Sequence, residues 1–457
     1  MDRGNSTASR DVAYHLHPNT NLRQHQKQGP LVITEGHGIR IKDENGKEYI
    51  EAMSGLWCAS LGFSEERLVD AATRQMRRLP FYHSFTNKSH EPVAELAERL
   101  VAMMPVKMSK AFFNNSGSEA NDTAVKLVWY YNNALGRPAK KKIIGRIKGY
   151  HGVTVATASL TGLAPNHRDF DLPLPGFLHA ECPHHYRYAE PGESEADFAT
   201  RLASNLDALI EREGPDTVAA FIAEPVMGAG GVIVPPETYF GKIQAVLKKH
   251  DVLLIADEVI CGFARTGNMF GSETYAMKPD ILTLAKAVSS AYLPISATII
   301  SEDIYQALLI QSDKLGVFAH GFTYSGHPTC CAVALEALKI YEERDILGHV
   351  RRLAPHFQKG LQHFAAHPLV GEARGVGLLG ALELVSDKAT KAPFDPAQSV
   401  SATVAAAAQE NGLIVRAMAG DTIAFCPPLI ATEADIDEIW QRFGRALDDA
   451  AIRLKLL

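Results

Sequence analysis

Short apolar runs alternate with longer amphipathic stretches through the middle of the chain, and this alternation limits the possible folds more than any other feature. The runs are KKIIGRI, TVAAFIAEPV, DVLLIADEV and DILTLAKA, and they alternate with helical patterns such as EPVAELAERLVAMM. Strands and helices that follow one another in this way favour a mostly parallel sheet covered by helices. The sequence therefore predicts an α/β fold.

The two ends of the chain differ from its middle. Polar residues up to about Gly29 predict a loosely held arm, and the next segment alternates around Asn45-Gly46, a strong hairpin signal. A second hairpin, LIVRAMAGDTIAFCPP, precedes a last helix for which Thr432 and Asp435 have the spacing of a capping box. We predict one large domain and a smaller α+β domain built from both chain ends. The expected divisions are 1–60 (arm and part of the small domain), 61–330 (large domain) and 331–457 (rest of the small domain).

Composition narrows the choice of partner. The formal net charge is −6, and no basic cluster points to nucleic acid or to an acidic membrane surface. Six cysteines lie scattered without a repeated C-x-x-C, which predicts neither a disulfide framework nor a zinc site. The first residues lack the apolar run of a signal peptide, and no segment approaches the ~18 apolar residues of a membrane helix. We expect a cytoplasmic protein that acts on small molecules.

Polar residues follow the apolar runs where an open α/β sheet places its ligands, at the carboxyl ends of the strands. In AFFNNSGSEANDTAVKLVWYY, an apolar run passes through Ser116-Gly117-Ser118 into an amphipathic helix. The free N–H groups and positive end of such a helix suit an anion, and phosphate fits. A helix cap without any ligand explains the same residues.

Three further residues lie at such ends. Asp257 follows LLIA and would be a buried carboxylate that needs a cation, such as a protonated pyridine nitrogen or a structural arginine. Lys286 follows ILTLA, where burial would lower its pKa and make its amine nucleophilic, although most lysines reach solvent. Tyr150, between glycines in KGYHG, offers an aromatic face to a planar ligand or to the core.

Two other patterns are weaker indications of a binding site. The segment from Gly375 to Gly380 matches G-x-G-x-x-G, but ALELV continues as a strand, whereas a dinucleotide site needs a helix there. The segment that holds His179, Cys182, His184 and His185 has no zinc spacing, and its proline indicates a solvated loop. No metal site is expected.

Several motifs together resemble the class III aminotransferases of the aspartate-aminotransferase fold, over about residues 30 to 430. They are NNSGSEAND, KGYHG, AEPVMGAGGVIVPP, ADEVICGFARTGNMFG, LTLAKAVSSAYLP and GFTYSGHP, in family order. The resemblance implies fold type I of the pyridoxal-phosphate enzymes and pyridoxal 5′-phosphate as cofactor. It also implies a homodimer, possibly a tetramer, with its active sites at the subunit interface.

The resemblance assigns roles to individual residues. Lys286 would form the Schiff base with the cofactor and carry the proton during the reaction, and Asp257 would pair with the pyridinium. The remaining cofactor contacts would be Gly117 and Ser118 at the phosphate, Thr323 of the neighbouring subunit also at the phosphate, and Tyr150 and Val259 on the two ring faces.

Within the family, the chain most resembles the amine:pyruvate (ω-) transaminases, through the substrate-site residues Trp57, Phe85, Tyr150 and Arg416 together with Leu56 and Val153. Trp57 and Phe85 would line an apolar pocket, and Arg416 would bind the carboxylate of the keto-acid acceptor or move aside for an amine without one. Glutamate-using relatives resemble EPIQGE where this chain has EPVMGA, so Ala229 replaces their gating glutamate. This difference favours pyruvate, which would give alanine in a ping-pong reaction.

Alternatives remain at this stage. A taurine- or β-alanine-specific transaminase, a 2-oxoglutarate-using transaminase, and an aminomutase, racemase or decarboxylase on the same fold would all keep Lys286 and Asp257. The non-enzymatic alternative is a regulatory protein that binds the cofactor. The sequence lacks the DNA-binding segment that such a protein would need.

Overall fold

A computed structural model describes residues 5–456. The helices are α1 (Thr7–Tyr14), α2 (Leu22–Gln28), α3 (Ser54–Trp57), α4 (Glu66–Arg78), α5 (Glu91–Met103), α6 (Gly117–Ala134), α7 (Val155–Leu160), α8 (His185–Tyr188), α9 (Glu195–Glu213), α10 (Tyr239–Lys249), α11 (Gly271–Thr274), α12 (Glu302–Leu315), α13 (Pro328–Glu343), α14 (Ile346–His363), α15 (Val400–Glu410) and α16 (Glu433–Arg453). The strands are β1 (Ile33–His37), β2 (Arg40–Asp43), β3 (Glu48–Glu51), β4 (Lys110–Asn114), β5 (Lys142–Arg146), β6 (Phe177–Ala180), β7 (Val218–Ala223), β8 (Leu253–Asp257), β9 (Ile281–Leu284), β10 (Ser296–Ile300), β11 (Val370–Val376), β12 (Leu379–Leu384), β13 (Leu413–Ile414), β14 (Arg416–Met418) and β15 (Thr422–Phe425).

The central sheet has seven strands in the order β4-β10-β9-β8-β7-β5-β6. The neighbours from β9 to β6 pair in parallel, and β10 is antiparallel to both β9 and β4. Every residue of β7 and of β9 is buried, as expected for strands that are covered on both faces. The α/β fold with a mostly parallel sheet is confirmed. The carboxyl ends of β4, β5, β7, β8 and β9 therefore share one edge.

Two further sheets have four strands each. In the first, β3 pairs in parallel with β13, about 360 residues further along, so the N-terminal and C-terminal segments meet in one sheet. The second has the order β11-β12-β15-β14. This arrangement agrees with a small domain built from both ends, and the division points at residues 60 and 330 stay a prediction.

The local predictions at the two chain ends are confirmed. Strands β2 and β3 form a hairpin around Asn45-Gly46, and β14 and β15 form the second one. Thr432 and Asp435 form the capping box of α16. The predicted arm contains α1 and α2, neither of which buries a residue. The glycine-rich segment that resembles a dinucleotide motif is the turn between β11 and β12, not a strand-to-helix connection.

The histidine segment after residue 178 differs from its prediction. His179 lies on β6, and the side chains of Cys182 and His184 are buried rather than solvated. His184 Nε2 lies 2.8 Å from a carboxylate oxygen of Glu372, and the ion-pair network of Arg374 surrounds them. Pro183 interrupts regular structure, as predicted, but Cys182, Pro183 and His184 are buried, and His184 contacts Glu372 of β11.

Among the described residues, no helix combines the length and the apolar character that crossing a bilayer requires.

Candidate active site

Lys286 begins a short 3₁₀ turn directly after β9. The residue as a whole is partly exposed, but burial of its amine lowers the pKa, while the negative charge of Asp257 opposes this shift. Its φ is +52°, a conformation that costs a non-glycine residue energy and that is concentrated at functional sites. The tip of β9 therefore presents an amine that releases its proton more readily than an ordinary lysine.

Asp257 is the last residue of β8 and is 3% exposed. Its Oδ2 accepts hydrogen bonds from Asn121 Nδ2 and His151 Nδ1, both at 2.8 Å, and its Oδ1 accepts one from the Val259 backbone N–H at 3.2 Å. Three donors stabilise the ionised carboxylate in a place from which water is excluded. A negative charge is thus held beside the Lys286 amine.

The N-terminus of α6 lies against the ends of β8 and β9. A Cβ added at Gly117 would lie 3.1 Å from Val259 Cγ1 and 3.8 Å from the Ala285 Cβ, so the helix backbone approaches both strand ends closely. Ser116 caps the helix by accepting the backbone N–H of Glu119. The Ser118 hydroxyl accepts the backbone N–H of Val153 at 3.1 Å. The structure therefore brings three of the predicted residues, Gly117, Ser118 and Val259, together.

Tyr150 follows β5 and is held through its backbone. Its N–H donates to Glu224 Oε1 at 3.0 Å, and Glu224 Oε2 accepts the N–H of Gly228 at 2.9 Å. Burial raises the pKa of the Tyr150 hydroxyl, and the nearby charge of Arg416 opposes that rise. Tyr150 thus lies between the buried carboxylates of the large sheet and the arginine of the small domain.

Three residues at this site were not singled out from the sequence: Asn121, His151 and Glu224. All three are buried, and each makes a polar contact that orients a predicted residue. His151 and Asn121 lie within the motifs KGYHG and NNSGSEAND, and Glu224 follows β7, so the sequence could have predicted their positions at strand ends and at a helix start. The sequence could not have predicted their hydrogen-bond partners, because those partners are 74 to 136 residues away along the chain.

Arg416 lies on β14, the edge strand of the second small sheet, and is partly buried. Burial lowers its pKa, and the neighbouring Tyr150 hydroxyl opposes this effect. Within residues 5–456, no carboxylate forms a salt bridge with it. Ala229 lies in the loop after β7, which the Glu224 side chain anchors at Gly228. A guanidinium without a partner is therefore available to an acid.

Trp57 is 3% exposed and packs in an apolar cluster with Met53, Ile260 and Met418. Because Ile260 follows Val259 and Met418 is two residues from Arg416, this cluster borders the site on both sides. The Glu51 carboxylate accepts the backbone N–H groups of Met53 and Gly55, which shapes the turn that carries Trp57.

Phe85 and Thr323 lie on another surface. The Phe85 ring contacts Gly321, where an added Cβ would lie 2.9 Å from its Cζ, and both Phe85 and Thr323 are exposed. The aromatic rings of Phe81 and Tyr324 pack edge to face beside them at 5.7 Å. Within one chain, Phe85 is thus grouped with Thr323 rather than placed in the apolar cluster of Trp57.

Comparison with known proteins gives consistent matches along almost the whole chain. A family model described as aminotransferase class-III matches residues 22–447. The chain is 56% identical over 429 residues to gamma aminobutyrate transaminase 1, mitochondrial, of Solanum lycopersicum, covering 94% of this chain and 83% of that protein. It is also 56% identical over 419 residues to gamma-aminobutyrate transaminase 1, mitochondrial, of Oryza sativa subsp. japonica, covering 92% and 81%.

Solved structures agree with these relatives. The ω-transaminase of Pseudomonas jessenii in complex with PMP has a TM-score of 0.97 and 58% identity, covering 98% of this chain and 99% of that one. A transaminase with L-ala has a TM-score of 0.91 and 58% identity, covering 93% and 100%. These matches confirm the predicted aspartate-aminotransferase fold and the predicted family. The chain therefore belongs to the class III aminotransferases, which use pyridoxal 5′-phosphate as their cofactor.

Proposed function

We propose that this aminotransferase moves the amino group of an amine or ω-amino acid to pyruvate, with alanine as product, in a ping-pong reaction. The observation that carries the proposal is Arg416, a half-buried guanidinium that has no carboxylate partner among the described residues and lies beside Tyr150. A buried charge without a partner is costly, so a bound carboxylate stabilises it. That carboxylate would belong to the substrate.

The residues at the strand ends fit pyridoxal 5′-phosphate. When bound, the cofactor supplies an aldehyde that takes up the amino group and a conjugated ring that accepts electron density. Lys286 would hold the cofactor and move the proton at its Nζ, and Asp257 would keep the pyridine nitrogen protonated. Phosphate would lie on the positive end of α6, at Gly117 and Ser118, with Tyr150 and Val259 on the ring faces.

The lowered pKa of Lys286 supports this role. Burial favours the neutral amine, which can attack an aldehyde and can accept a proton from carbon, whereas an ammonium group can do neither. Asp257 accepts hydrogen bonds from three donors in the same buried space. The two groups therefore suit opposite tasks, one as a base and one as a fixed charge.

Ala229 supports pyruvate as acceptor. A carboxylate at this position would pair with Arg416 when no acid is bound, as proposed for the gating glutamate of glutamate-using relatives. A methyl group cannot do so, and no carboxylate among the described residues forms a salt bridge with Arg416. The small carboxylate of pyruvate needs only Arg416, in a bidentate pair.

The relatives support an ω-amino acid as donor. Two of them are named as gamma-aminobutyrate transaminases and one solved neighbour as an ω-transaminase. Both names describe substrates whose reacting amine lies on a terminal or unactivated carbon. The apolar cluster of Trp57, which borders the site, would face such a chain, and Arg416 would receive its far carboxylate when one is present.

Phe85 and Thr323 support a homodimer with shared sites. Both are exposed on one chain and lie within a patch of exposed aromatic residues, which is typical of a surface that another protein covers. We infer that a second copy covers it and receives Thr323 at its phosphate site and Phe85 at its apolar pocket. Assembly to a tetramer and a cytoplasmic location also remain proposals; the six unpaired cysteines support a reducing compartment.

The donor and acceptor are tested together. Purified holoenzyme is incubated with γ-aminobutyrate, β-alanine, taurine, putrescine or a chiral aryl amine, each with pyruvate or 2-oxoglutarate, and alanine and glutamate are quantified. We expect alanine from pyruvate with several donors. Activity with taurine or β-alanine alone would favour a specific transaminase, and glutamate as sole product would overturn the interpretation of Ala229. An amino group that stays on its own carbon skeleton would identify an aminomutase.

Arg416→Ala tests the acid-binding role. A charged hydrogen-bonded pair contributes roughly 1.5–3 kcal/mol, so KM for pyruvate should rise about 10- to 150-fold. The half-reaction with a carboxylate-free amine should keep its rate, because that donor does not use the guanidinium. Arg445→Ala, on the exposed part of α16, is the control. Equal losses with pyruvate and with the aryl amine would contradict the proposal.

A further inference from the structure

Three histidines of the N-terminal arm surround one carboxylate. His17 Nε2 lies 2.7 Å from Asp11 Oδ1, His25 Nε2 lies 3.1 Å from the same oxygen, and His15 Nδ1 lies 3.1 Å from Oδ2. The rings are in contact, with centroids 4.5 Å apart for His15 and His17 and 3.9 Å apart for His17 and His25. We call Asp11, His15, His17 and His25 the arm cluster.

The position of His25 in the arm cluster is not explained by a hydrogen bond. Its side chain is 8% exposed, yet its buried Nε2 has no hydrogen-bond partner among the described residues. The atom nevertheless lies 3.1 Å from Asp11 Oδ1. The contact therefore lacks hydrogen-bond geometry, and the side chain of Asp11 is 21% exposed. A cation between the imidazole nitrogen and the carboxylate would be attracted to both.

The spacing of the ligand atoms suits a small divalent ion. Four atoms at the corners of a tetrahedron, each 2.0–2.1 Å from zinc, lie about 3.3 Å from one another. The distances from Asp11 to its three nitrogen partners are 2.7 to 3.1 Å, and the ligand atoms of Asp11, His15 and His17 all lie within 4.8 Å of one another. Small rotations of the His15 and His17 rings would bring these three ligands to that geometry, and His25, whose Nε2 lies 3.1 Å from Asp11 Oδ1, would supply the fourth.

Two other groups of acids and histidines in the described residues differ from the arm cluster. The group of His184, Glu372 and Glu383 already contains the guanidinium of Arg374, and the group of Asp207, Glu211 and His250 contains the ammonium of Lys249. In both, a fixed cation occupies the place of a metal. Within residues 5–456, no lysine or arginine pairs with Asp11.

We propose that the arm cluster is a binding site for a divalent transition metal, with zinc as the best-suited ion. Three imidazoles and one carboxylate are the ligands that zinc and its neighbours prefer, whereas magnesium and calcium prefer oxygen ligands. The ligands come from α1 (Asp11), from the segment after it (His15 and His17) and from α2 (His25). A bound ion would therefore cross-link an arm that has no buried residue of its own in either helix.

Direct binding tests the site. Untagged holoenzyme in a phosphate-free buffer is titrated with zinc by calorimetry and with Co²⁺ by visible absorption, which reports the ligand geometry. We expect one strong site per chain and Co²⁺ bands of a four-coordinate ion. His17→Gln and His25→Gln should each weaken zinc binding at least ~10-fold. No binding, or binding by both variants as tight as that of the parent enzyme, would overturn the proposal.

His356→Gln is the matched control. His356 Nε2 lies 2.7 Å from Asp437 Oδ1, the same contact that His17 makes with Asp11, but no further imidazole joins that pair. This variant should bind zinc like the parent enzyme. A weakening equal to that of His17→Gln would show that removing any exposed histidine has the effect, and would overturn the assignment.

Proteolysis gives a second measurement that does not depend on activity. Arg23 and Lys27 are exposed trypsin sites on α2, on either side of His25. Zinc should slow cleavage at both sites in the parent enzyme and in His356→Gln, because a cross-linked helix unfolds less often. The same slowing in His25→Gln, or none in the parent enzyme, would contradict a metal held by the arm cluster.

Discussion

Asp257, at the end of β8, and Lys286, just after β9, have different surroundings. The Asp257 carboxylate accepts three hydrogen bonds, whereas burial lowers the pKa of the Lys286 amine and nearby negative charges, that of Asp257 first, oppose that shift. Hydrogen-bond donors therefore surround the carboxylate, whereas burial favours the neutral form of the amine. This difference in surroundings gives two neighbouring titratable groups the separate roles proposed for them.

Lys286→Ala removes the only amine proposed to act as base. Turnover with every donor should fall at least ~10²-fold, the scale of acid-base catalysis alone. The variant should still bind the cofactor through the phosphate and ring contacts, but borohydride should no longer fix the cofactor to the protein. Lys248→Ala, on the exposed face of α10, should behave like the parent enzyme. Normal turnover of Lys286→Ala would refute the assigned role.

Glu258, next to Asp257, makes stability depend on pH. Burial raises the pKa of its carboxyl to about 7, although Ser272 and the Gly271 N–H donate to it. Because the pKa is higher in the folded state, this group stabilises the fold fully below its ordinary value of 4.5, and the contribution is lost as pH rises through about 7.

Glu258→Gln should remove that dependence. Between about pH 5 and 7, the free energy of unfolding of the parent enzyme should fall with pH more steeply than that of the variant, by up to ~1.4 kcal/mol per pH unit. Thermal midpoints of both holoenzymes, measured across this range, check the difference. Glu98→Gln, an exposed carboxyl on α5, should leave the slope of the parent enzyme unchanged. Parallel curves for Glu258→Gln and the parent would contradict the raised pKa.

At the scale of elements, the start of α6 depends on the loop after β5. Gly152 has a φ of +136°, and a Cβ there would lie 2.6 Å from Ser118 Oγ and 2.5 Å from Thr157 Oγ1. The same loop donates the Val153 N–H to Ser118. The loop thus fixes the hydroxyl that is proposed to bind phosphate, and it can approach so closely only because residue 152 lacks a side chain.

Gly152→Ala should therefore displace Ser118 and weaken cofactor binding at least ~10-fold, since one charged hydrogen bond contributes roughly 1.5–3 kcal/mol. Gly136→Ala is the matched control, because Gly136 also has a positive φ, +71°, but open space around it. The control should lose roughly 1–2 kcal/mol of stability through backbone strain and keep its cofactor affinity. Equal cofactor affinities of the two variants, measured by equilibrium dialysis, would contradict the positioning role of the loop.

At the scale of the whole molecule, the patch around Thr323 bears on assembly. Phe81, Tyr82, Phe85 and Tyr324 are 38%, 42%, 45% and 59% exposed on one chain. Burying such an area favours association, and a two-fold dimer would place the patch of each copy at the site of the other. Each active site would then need both chains.

Mixed dimers test this arrangement. Lys286→Ala chains and Thr323→Asp chains, the latter carrying a charge that repels phosphate, should each be nearly inactive alone. When they are co-expressed, half of the dimers are mixed and each of these regains one intact site, so about a quarter of the parent activity should return. No recovery in purified mixed dimers would show that Thr323 serves its own chain.

The sequence by itself determined which segments are strands and helices and where the reactive residues lie along them. Apolar runs of β8 and β9 end at Asp257 and just before Lys286, Asn45-Gly46 forms its turn, and Thr432 caps α16. These features depend on local geometry and on the periodicity of apolar side chains, both of which are contained within a few neighbouring residues.

Only the tertiary structure decided what surrounds those residues. Asp257 receives its donors from Asn121 and His151, 136 and 106 residues away, and the burial of His184 against Glu372 contradicted the prediction of a solvated loop. It also placed Phe85 against Gly321 on the surface and gathered the three arm histidines around Asp11. Such contacts follow from how whole elements pack, because desolvation and hydrogen-bond partners depend on distance in space and not on distance along the chain.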